Sequence, residues 1–299
     1  MKTVGRYQDA DAFRAALEQR IRTASDTTGV PHDRLRKDVA FQRLVARFVA
    51  VGDDRWVIKG GVGLLWRVGH EVRATRDIDA NWQGNEADLE AFLDAAVTQE
   101  ADDGFEFEIG APRPLEGETE GALRFAVTAR LAGREFTAFR LDVNFTAHAR
   151  RIDTVTVHVP LLEFVGLADL QVPMISVAQQ LAEKLHAVAR TYASGDSSRI
   201  KDVYDSVLLT QTVSVPTANE LTQAVEATFT LRATPLLEAP GDLPESWDEP
   251  LTAFLDGFAI PGVTDLAELR QTWRNLWQAI LDRTATGDAR WNPSTRSWT

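Results

Sequence analysis

The spacing of hydrophobic residues predicts that the chain opens with two amphipathic helices. An apolar residue at every fourth position from Phe13 to Ile21 indicates a helix over residues 9–25. Pro31 suits the first turn of a second helix, in which apolar residues mostly three or four positions apart continue to Phe48. Each helix is therefore expected to bury one face.

Runs of alternating or continuous apolar residues predict a β-rich middle part. Strands are expected over residues 56–58, 77–82, 105–109, 123–131, 136–145 and 152–159, with helices over residues 63–68 and 85–97. The segment Ala-Gly-Arg at residues 132–134 is typical of a hairpin turn between two of these strands.

Beyond Pro173 the periodicity becomes that of helices. They are expected over residues 177–192, 200–210, 218–229, 250–258 and 265–285. The sequence therefore predicts an α+β fold. A mixed-sheet α/β core preceded by N-terminal helices would occupy residues 1–165, and a helical domain would occupy residues 166–299.

Composition limits the class of protein and the chemistry. The 299 residues are 44% hydrophobic and 25% charged, as in a soluble globular protein of one large or two ordinary domains. The absence of cysteine excludes disulfides and thiolate chemistry, and five scattered histidines argue against zinc. No apolar leader or bilayer-spanning stretch is evident, so a cytoplasmic protein without a membrane partner is expected.

The charge distribution restricts how the chain could contact nucleic acid. A net charge of −12 argues against general polyanion binding, because the average surface would repel phosphate. Residues 31–80 nevertheless carry ten Lys and Arg against seven acids, and residues 121–160 carry six Arg against three acids. Any contact with nucleic acid would use such local patches, although ordinary surface variation explains them equally well.

Two motifs in the middle part carry candidate chemistry. Gly60 and Gly61 follow a strand and open a helix, where paired glycines let backbone N–H groups approach a phosphate; a plain tight turn is the alternative. Asp77 and Asp79 lie two apart on a strand and share a face. A magnesium ion with nucleotide phosphates would relieve their repulsion, and the alternative is a pair of exposed acids.

Two further clusters supply acids and cations. Asp142 lies between apolar neighbours on a strand; it would join the metal site or accept a proton, or else face solvent. Asp202 and Asp205 fall on one helical face, which could equally be solvated. Only five of the 32 basic residues are lysines, and a lysine suits a phosphate site as a compact charge. Three of the five lie in these clusters: Lys59, Lys184 and Lys201.

Taken together, these motifs resemble those of the DNA polymerase beta-like nucleotidyltransferase superfamily. Their order is K-G-G-x-x-L-L from Lys59, R-x-T-x-D-x-D from Arg73, E-K-L-x-A from Glu183 and R-x-K-D-x-x-D from Arg199. This order is similar to that of the AbiEii/AbiGii toxin family, which includes the MenT toxins. The resemblance covers residues 34–209.

The resemblance implies a nucleotidyltransferase toxin of a type IV-like toxin–antitoxin system. Such an enzyme would transfer NMP from an NTP and release pyrophosphate, with Mg²⁺ or Mn²⁺ as cofactor. In the MenT relatives the acceptor is the 3′ end of tRNA, the added nucleotide is often a pyrimidine, and aminoacylation is blocked. An antitoxin encoded nearby is the expected partner, and the helical domain is expected to complete the active site.

The resemblance also implies roles for individual residues. The catalytic residues would be Asp77, Asp79, Lys184 and Asp202. The metal ligands would be Asp77 and Asp79, with Asp142 as a third acid. The nucleotide would contact Lys59, Gly60, Gly61, Thr75, Arg76, Arg199 and Lys201. Many relatives have a serine after the first motif glycine; here Val62 follows Gly61, so backbone N–H groups would have to hold the phosphate.

A tRNA acceptor is hypothesised to lie along four arginines of the β-rich part: Arg124, Arg130, Arg134 and Arg140. Arg124 and Arg130 share a face if their strand is unbulged, and Arg140 shares a face with Asp142. Two other functions stay open, namely transfer to a protein hydroxyl or small molecule, and a catalytically silent nucleotide-binding or partner-binding domain.

Overall fold

The chain divides into two compact units. The computed structural model describes residue 7 and residues 9–70, 72–115, 121–145, 151–190 and 199–299. The sheet unit comprises Met1–Arg67 and Ala74–Met174, and the helical unit comprises Val68–Arg73 and Ile175–Thr299. The chain therefore passes from one unit to the other three times.

The sheet unit alternates helices and strands before it becomes mainly β. Up to the last strand of the sheet the elements are α1 (Ala10–Thr28), α2 (His32–Val51), β1 (Trp56–Lys59), α3 (Gly60–Val68), β2 (Asp77–Trp82), α4 (Glu86–Thr98), β3 (Phe105–Ile109), β4 (Arg113–Pro114), β5 (Ala122–Leu131), β6 (Arg134–Phe145), β7 (Ile152–Val157) and β8 (Leu170–Ile175), with a 3-10 helix at Pro160–Val165.

The sheet is mixed. Its strand order is β3-β5-β6-β2-β1-β8-β7, and β4 pairs with β5 outside this path. Strands β2 and β6 run parallel, as do β1 and β8, whereas β1 and β2 are antiparallel and β5 and β6 form an antiparallel hairpin. This mixed sheet, followed by a helical C-terminal part, confirms the predicted fold class.

The division of the chain differs from the boundary expected near residue 165. Strand β8 was not expected, because Pro173 interrupts a short apolar stretch. Through Met174, β8 pairs in parallel with Ile58 of β1, so the sheet unit continues for nine residues past the expected boundary. The short segment Val68–Arg73 also belongs to the helical unit, which no sequence pattern indicated.

The sheet has one face packed against helices and one face that carries charged residues. Ile78 and Ala80 of β2 are buried in the hydrophobic core, so Asp79 lies on the opposite face. In the same way Leu141 of β6 is fully buried and Asp142 faces away from the core. The expected alternation of these two strands thus positions the acids.

The described residues of the helical unit form five α-helices, a 3-10 helix at Glu245–Trp247 and a terminal hairpin. The α-helices are α5 (Val177–Ala189), α6 (Ile200–Thr212), α7 (Ala218–Leu231), α8 (Asp248–Gly257) and α9 (Leu266–Leu281), followed by β9 (Trp291–Asn292) and β10 (Ser297–Trp298). Helix α5 ends before the expected residue 192, and residues 191–192 lie outside the described part of the chain. None of the helices in the described ranges has the length and apolar character needed to cross a bilayer.

Candidate active site

A row of charged residues crosses one face of the sheet. Asp79 of β2 is the cross-strand partner of Lys59 on β1 and of Asp142 on β6, and Asp142 is in turn the partner of Arg124 on β5. Cross-strand partners lie on the same face with their Cβ atoms about 5 Å apart. The order of charges along this row is therefore positive, negative, negative, positive.

Asp79 lies in the middle of this row in a desolvated environment. Burial raises the pKa of the Asp79 carboxyl, Lys59 opposes that change, and the nearby charges of Asp142 and Asp77 add to it. The backbone N–H of Gly61 donates a hydrogen bond to the Asp79 carboxylate. A carboxylate with a raised pKa next to two other acids favours the approach of a cation.

The glycine pair is required by the close approach of two chain segments. A Cβ at Gly60, whose φ is +63°, would lie 2.0 Å from Oδ2 of Asp79. A Cβ at Gly61 would lie 2.6 Å from Oγ1 of Thr75. The first and second motifs therefore contact each other directly, which explains the glycines in terms of packing as well as of phosphate binding.

An arginine holds each of the two outer acids. Arg140 binds Asp77 through Nε–Oδ1 at 2.6 Å and Nη2–Oδ2 at 2.9 Å. Arg124 binds Asp142 in the same way, at 2.8 and 2.7 Å. Both pairs are cross-strand neighbours, Arg140 with Asp77 and Arg124 with Asp142. The acidic face is thus neutralised by arginines of the same sheet.

The donor set of this face fits a divalent cation. Three carboxylates on one face supply the oxygen ligands that Mg²⁺ prefers. Within the described ranges, however, no group of three His, Cys, Asp or Glu side chains is already arranged to hold a metal ion. The arginine pairs account for this, because Asp77 and Asp142 are oriented towards guanidinium groups.

A second charged cluster lies inside the helical unit. Nζ of Lys184 on α5 lies 2.7 Å from Oδ2 of Asp205 and 3.2 Å from Oδ1 of Asp202, both on α6. Arg73 donates two hydrogen bonds to Asp205, at 2.9 and 2.8 Å. The motifs that contain Arg73, Lys184 and Asp205 therefore meet through one buried network.

The electrostatics of this cluster keep Lys184 and Asp205 charged. Burial alone would lower the pKa of Lys184, but Asp205 and Asp202 reverse this, and the pKa is raised. Burial alone would raise the pKa of Asp205, but Lys184 and Arg73 reverse this, and the pKa is lowered. Oδ2 of Asp202 accepts no hydrogen bond from the described residues and lies 3.6 Å from Nη1 of Arg199.

The other expected nucleotide contacts differ in exposure. Arg76 and Lys201 are exposed, whereas Lys59 is buried within the sheet row. Thr75 is partly buried and donates a hydrogen bond from its hydroxyl to the backbone oxygen of Asp77. Thr75 and Lys59 therefore lie beside the acids, and Arg76 and Lys201 are directed towards solvent.

The four arginines proposed to contact RNA do not form one patch. The pairing of β5 with β6 is irregular near Arg130, where one residue of β6 has no partner on β5. The alternation of β5 itself continues, so Arg130 lies on the same face as Arg124. Six residues of strand nevertheless separate the two by about 20 Å. Arg130 lies 3.6 Å from Glu108 and Arg134 pairs with Asp11, so only Arg124 and Arg140 lie among the acids.

Arg73 and Asp205 belong to the buried cluster, although the sequence analysis assigned no role to Arg73 and placed Asp205 only on one helical face with Asp202. Both lie in the motifs that carry the family resemblance, Arg73 as the first residue of one motif and Asp205 as the last of another. Their places at the ends of these motifs were the one feature of the sequence that could have indicated a role for them. What the sequence could not show is that the two side chains bind each other.

Comparison with known proteins gives a family and a fold. The family model described as nucleotidyl transferase AbiEii toxin, type IV TA system, matches residues 43–296. The chain is similar to the solved structure of MenT4, a nucleotidyltransferase toxin from Mycobacterium tuberculosis, with a TM-score of 0.54 and 19% identity over 85% of this chain and 92% of that chain. JHP933 from Helicobacter pylori gives a TM-score of 0.43 and 12% identity over 83% and 94%. No curated protein sequence matches significantly.

The family assignment rests on the extent of the match. The matched residues include the glycine pair, the paired acids of β2 and both motifs of the helical unit. The similarity to MenT4 supports the fold at low identity. The chain belongs to the AbiEii family of nucleotidyltransferase toxins of type IV toxin–antitoxin systems.

Proposed function

We propose that this nucleotidyltransferase toxin transfers NMP from an NTP to the 3′ end of tRNA, in a reaction that depends on Mg²⁺ or Mn²⁺ and blocks aminoacylation. The observation that carries the metal dependence is the charged row, in which Asp79 has a raised pKa and lies between Lys59 and Asp142. A metal-bound triphosphate would need such a face. The acceptor is proposed from the resemblance to the MenT toxins.

In the proposed reaction the residues of the sheet unit bind the metal and the triphosphate. Asp77 and Asp79, with Asp142 as the third acid, would hold the cation, which supplies charge neutralisation for the phosphates when bound. The backbone at Gly60 and Gly61 would contact phosphate oxygens, because no Cβ shields their N–H groups. Lys59 stays beside Asp79 and balances its charge.

The helical unit is proposed to serve the same reaction. Lys184 is held protonated by two acids, so it supplies a fixed positive charge for the phosphates, and Arg199 and Lys201 add cations near the start of α6. Asp202 keeps one oxygen that accepts no hydrogen bond from the described residues. The acceptor hydroxyl oxygen would bond to the α-phosphorus as the bond to pyrophosphate breaks, and the hydroxyl proton would pass to water.

Two other classes of acceptor for the NMP group can be distinguished from tRNA by experiment. Transfer to a protein hydroxyl or to a small molecule would use the same residues. A catalytically silent domain is not supported, because the chain belongs to an enzyme family and keeps Asp77, Asp79, Lys184 and Asp202. A pyrimidine NTP, a cytoplasmic location and an antitoxin encoded nearby are part of the same proposal.

The test is incubation of the purified protein and Mg²⁺ with each of the four labelled NTPs. Parallel reactions contain tRNA, a protein extract free of RNA, or small-molecule acceptors. We expect label on tRNA with one or two NTPs, lost with chelator and in Asp79→Asn. Label on protein or small molecules, with none on tRNA, would replace the tRNA proposal. No transfer from any NTP would overturn it entirely.

A further inference from the structure

The contact between Asp77 and Arg140 uses both oxygens of a proposed metal ligand. Nε and Nη2 of Arg140 each donate to a different oxygen of Asp77, at 2.6 and 2.9 Å. The Arg140 side chain is 45% exposed and that of Asp77 is 25% exposed. A bidentate guanidinium therefore covers the carboxylate on the side that solvent reaches.

A divalent cation and this guanidinium compete for the same carboxylate. The cation would need an oxygen of Asp77 that now accepts an N–H from Arg140, and its two charges would repel the guanidinium nearby. An exposed ion pair contributes little net free energy, so it is readily exchanged. Asp77 and Asp79 would together offer the cation two carboxylates, whereas Arg140 pairs with only one of them.

We propose that Arg140 is an exchangeable counter-ion of the metal site. In the metal-free enzyme it neutralises Asp77; a divalent cation displaces it, and the released guanidinium binds the polyphosphate of the NTP that the metal holds. The fork of a guanidinium matches phosphate oxygens as well as carboxylate oxygens. This inference rests on the proposed function and assigns Arg140 to the nucleotide rather than to RNA.

The second arginine pair is expected to behave differently. Arg124 and Asp142 make contacts of similar length, but their side chains are only 34% and 12% exposed. Exchange at this more enclosed pair is less favourable, because a displaced guanidinium would leave an enclosed carboxylate without its partner. Arg124 is therefore expected to stay on Asp142 while Arg140 moves, so Asp77 and Asp79 would contact the cation directly and Asp142 would contribute its charge beside them.

Tighter Mn²⁺ binding together with a higher KM for the NTP in the same variant would distinguish exchange from a structural role of Arg140. We expect Arg140→Gln to bind Mn²⁺ about fivefold more tightly in nucleotide-free protein, because a competitor is lost. We expect its KM for the NTP to rise about tenfold, because a phosphate contact is lost. Mn²⁺ binding is measured by the loss of the electron paramagnetic resonance signal of free Mn²⁺, and KM from NMP transfer.

Arg55→Gln is the matched control. Arg55 also lies in the sheet unit, is 39% exposed and makes a bidentate contact with an acid, Asp53, outside the candidate site. It loses the same charge, so its Mn²⁺ affinity and KM should stay within about twofold of wild type. Arg140→Lys keeps the charge but not the fork, and intermediate values are expected for it.

Unchanged or weaker Mn²⁺ binding in Arg140→Gln would overturn the exchange, as would wild-type protein that binds no Mn²⁺ without nucleotide. The exchange would also be overturned if Arg55→Gln changed Mn²⁺ affinity and KM as much as Arg140→Gln does, since the effect would then be one of net charge. Failure of the proposed function has another signature. It would show as wild-type protein that transfers no NMP, whatever the Mn²⁺ titration gives.

Discussion

At the scale of single residues, the glycine pair has the tightest steric constraint among the described residues of the site. Gly60 combines a positive φ with a position where a Cβ would overlap the carboxylate of Asp79. Gly61 donates its N–H to that same carboxylate. The orientation of Asp79 therefore depends on the absence of side chains at these two positions.

Gly60→Ala should reduce NMP transfer at least a hundredfold, because Asp79 must move away from the added Cβ, and a shift of about 1 Å in a reacting group can cost that much. Gly52→Ala is the control. Gly52 has a similar φ of +75° but nothing within 4 Å of its Cβ position. Both variants should lose about 1–2 kcal/mol from backbone strain.

Transfer assays and urea unfolding of the two alanine variants separate these effects. If Gly52→Ala lost transfer as severely as Gly60→Ala, strain rather than the contact with Asp79 would be responsible. If Gly60→Ala kept wild-type transfer, the glycine pair would have no bearing on the acid.

At the scale of elements, α5 and α6 are joined by buried charge as well as by apolar packing. Lys184 on α5 reaches two acids of α6, and the segment that precedes β2 supplies Arg73 to one of them. Asp205 is fully buried and has both cations as partners. Removal of its charge would leave two cations with a neutral partner.

Asp205→Asn should lower the free energy of unfolding by about 3–5 kcal/mol at pH 7, because it removes one partner of a buried ion network. The folded-state pKa of Asp205 is lowered, so its contribution is present above the unfolded-state pKa near 4 and is lost as pH falls through the folded value. The gap between variant and wild type should therefore narrow in acid.

Urea unfolding at pH 7 and below pH 4 tests this dependence. Asp256→Asn, an exposed position on α8, is the control and should differ from wild type by less than about 0.5 kcal/mol at both pH values. A gap for Asp205→Asn that stayed constant between the two pH values would show that the carboxylate charge is not what stabilises the fold.

Alternation along single strands predicted which residues share a face, but not which strands are neighbours. The two-residue spacing of Asp77 and Asp79 correctly placed both on one side of β2. The pairing of β2 with β6, four strands later in the chain, brings Asp142 beside Asp79. That pairing depends on long-range packing of the sheet, for which a single sequence carries no local signal.

The ion pairs of the sheet could not be predicted from the sequence either. The arginines at 124 and 140 suggested RNA contacts because of their charge, whereas the register of β5, β6 and β2 brings each of them opposite an acid. Strand β8 was missed because of Pro173. The helix and strand centres, which depend on local periodicity, agree with the structure at most positions.

At the scale of the whole molecule, two separate charged clusters carry the family motifs. The sheet unit contains Asp77, Asp79 and the glycine pair, and the helical unit contains Lys184 and Asp202. Within each cluster acids pair with cations, with Arg124 and Arg140 in the first and with Lys184 in the second. We propose that both clusters serve one transfer reaction.

The most direct test of that claim is a double-mutant cycle on the rate of NMP transfer to tRNA, with Asp79→Asn, Lys184→Met and the double variant. Each single change should lower the rate about a thousandfold, and the double variant should be little slower than either, because residues that act as one unit are not additive. Two effects that multiply, or a wild-type rate in either single variant, would contradict the account.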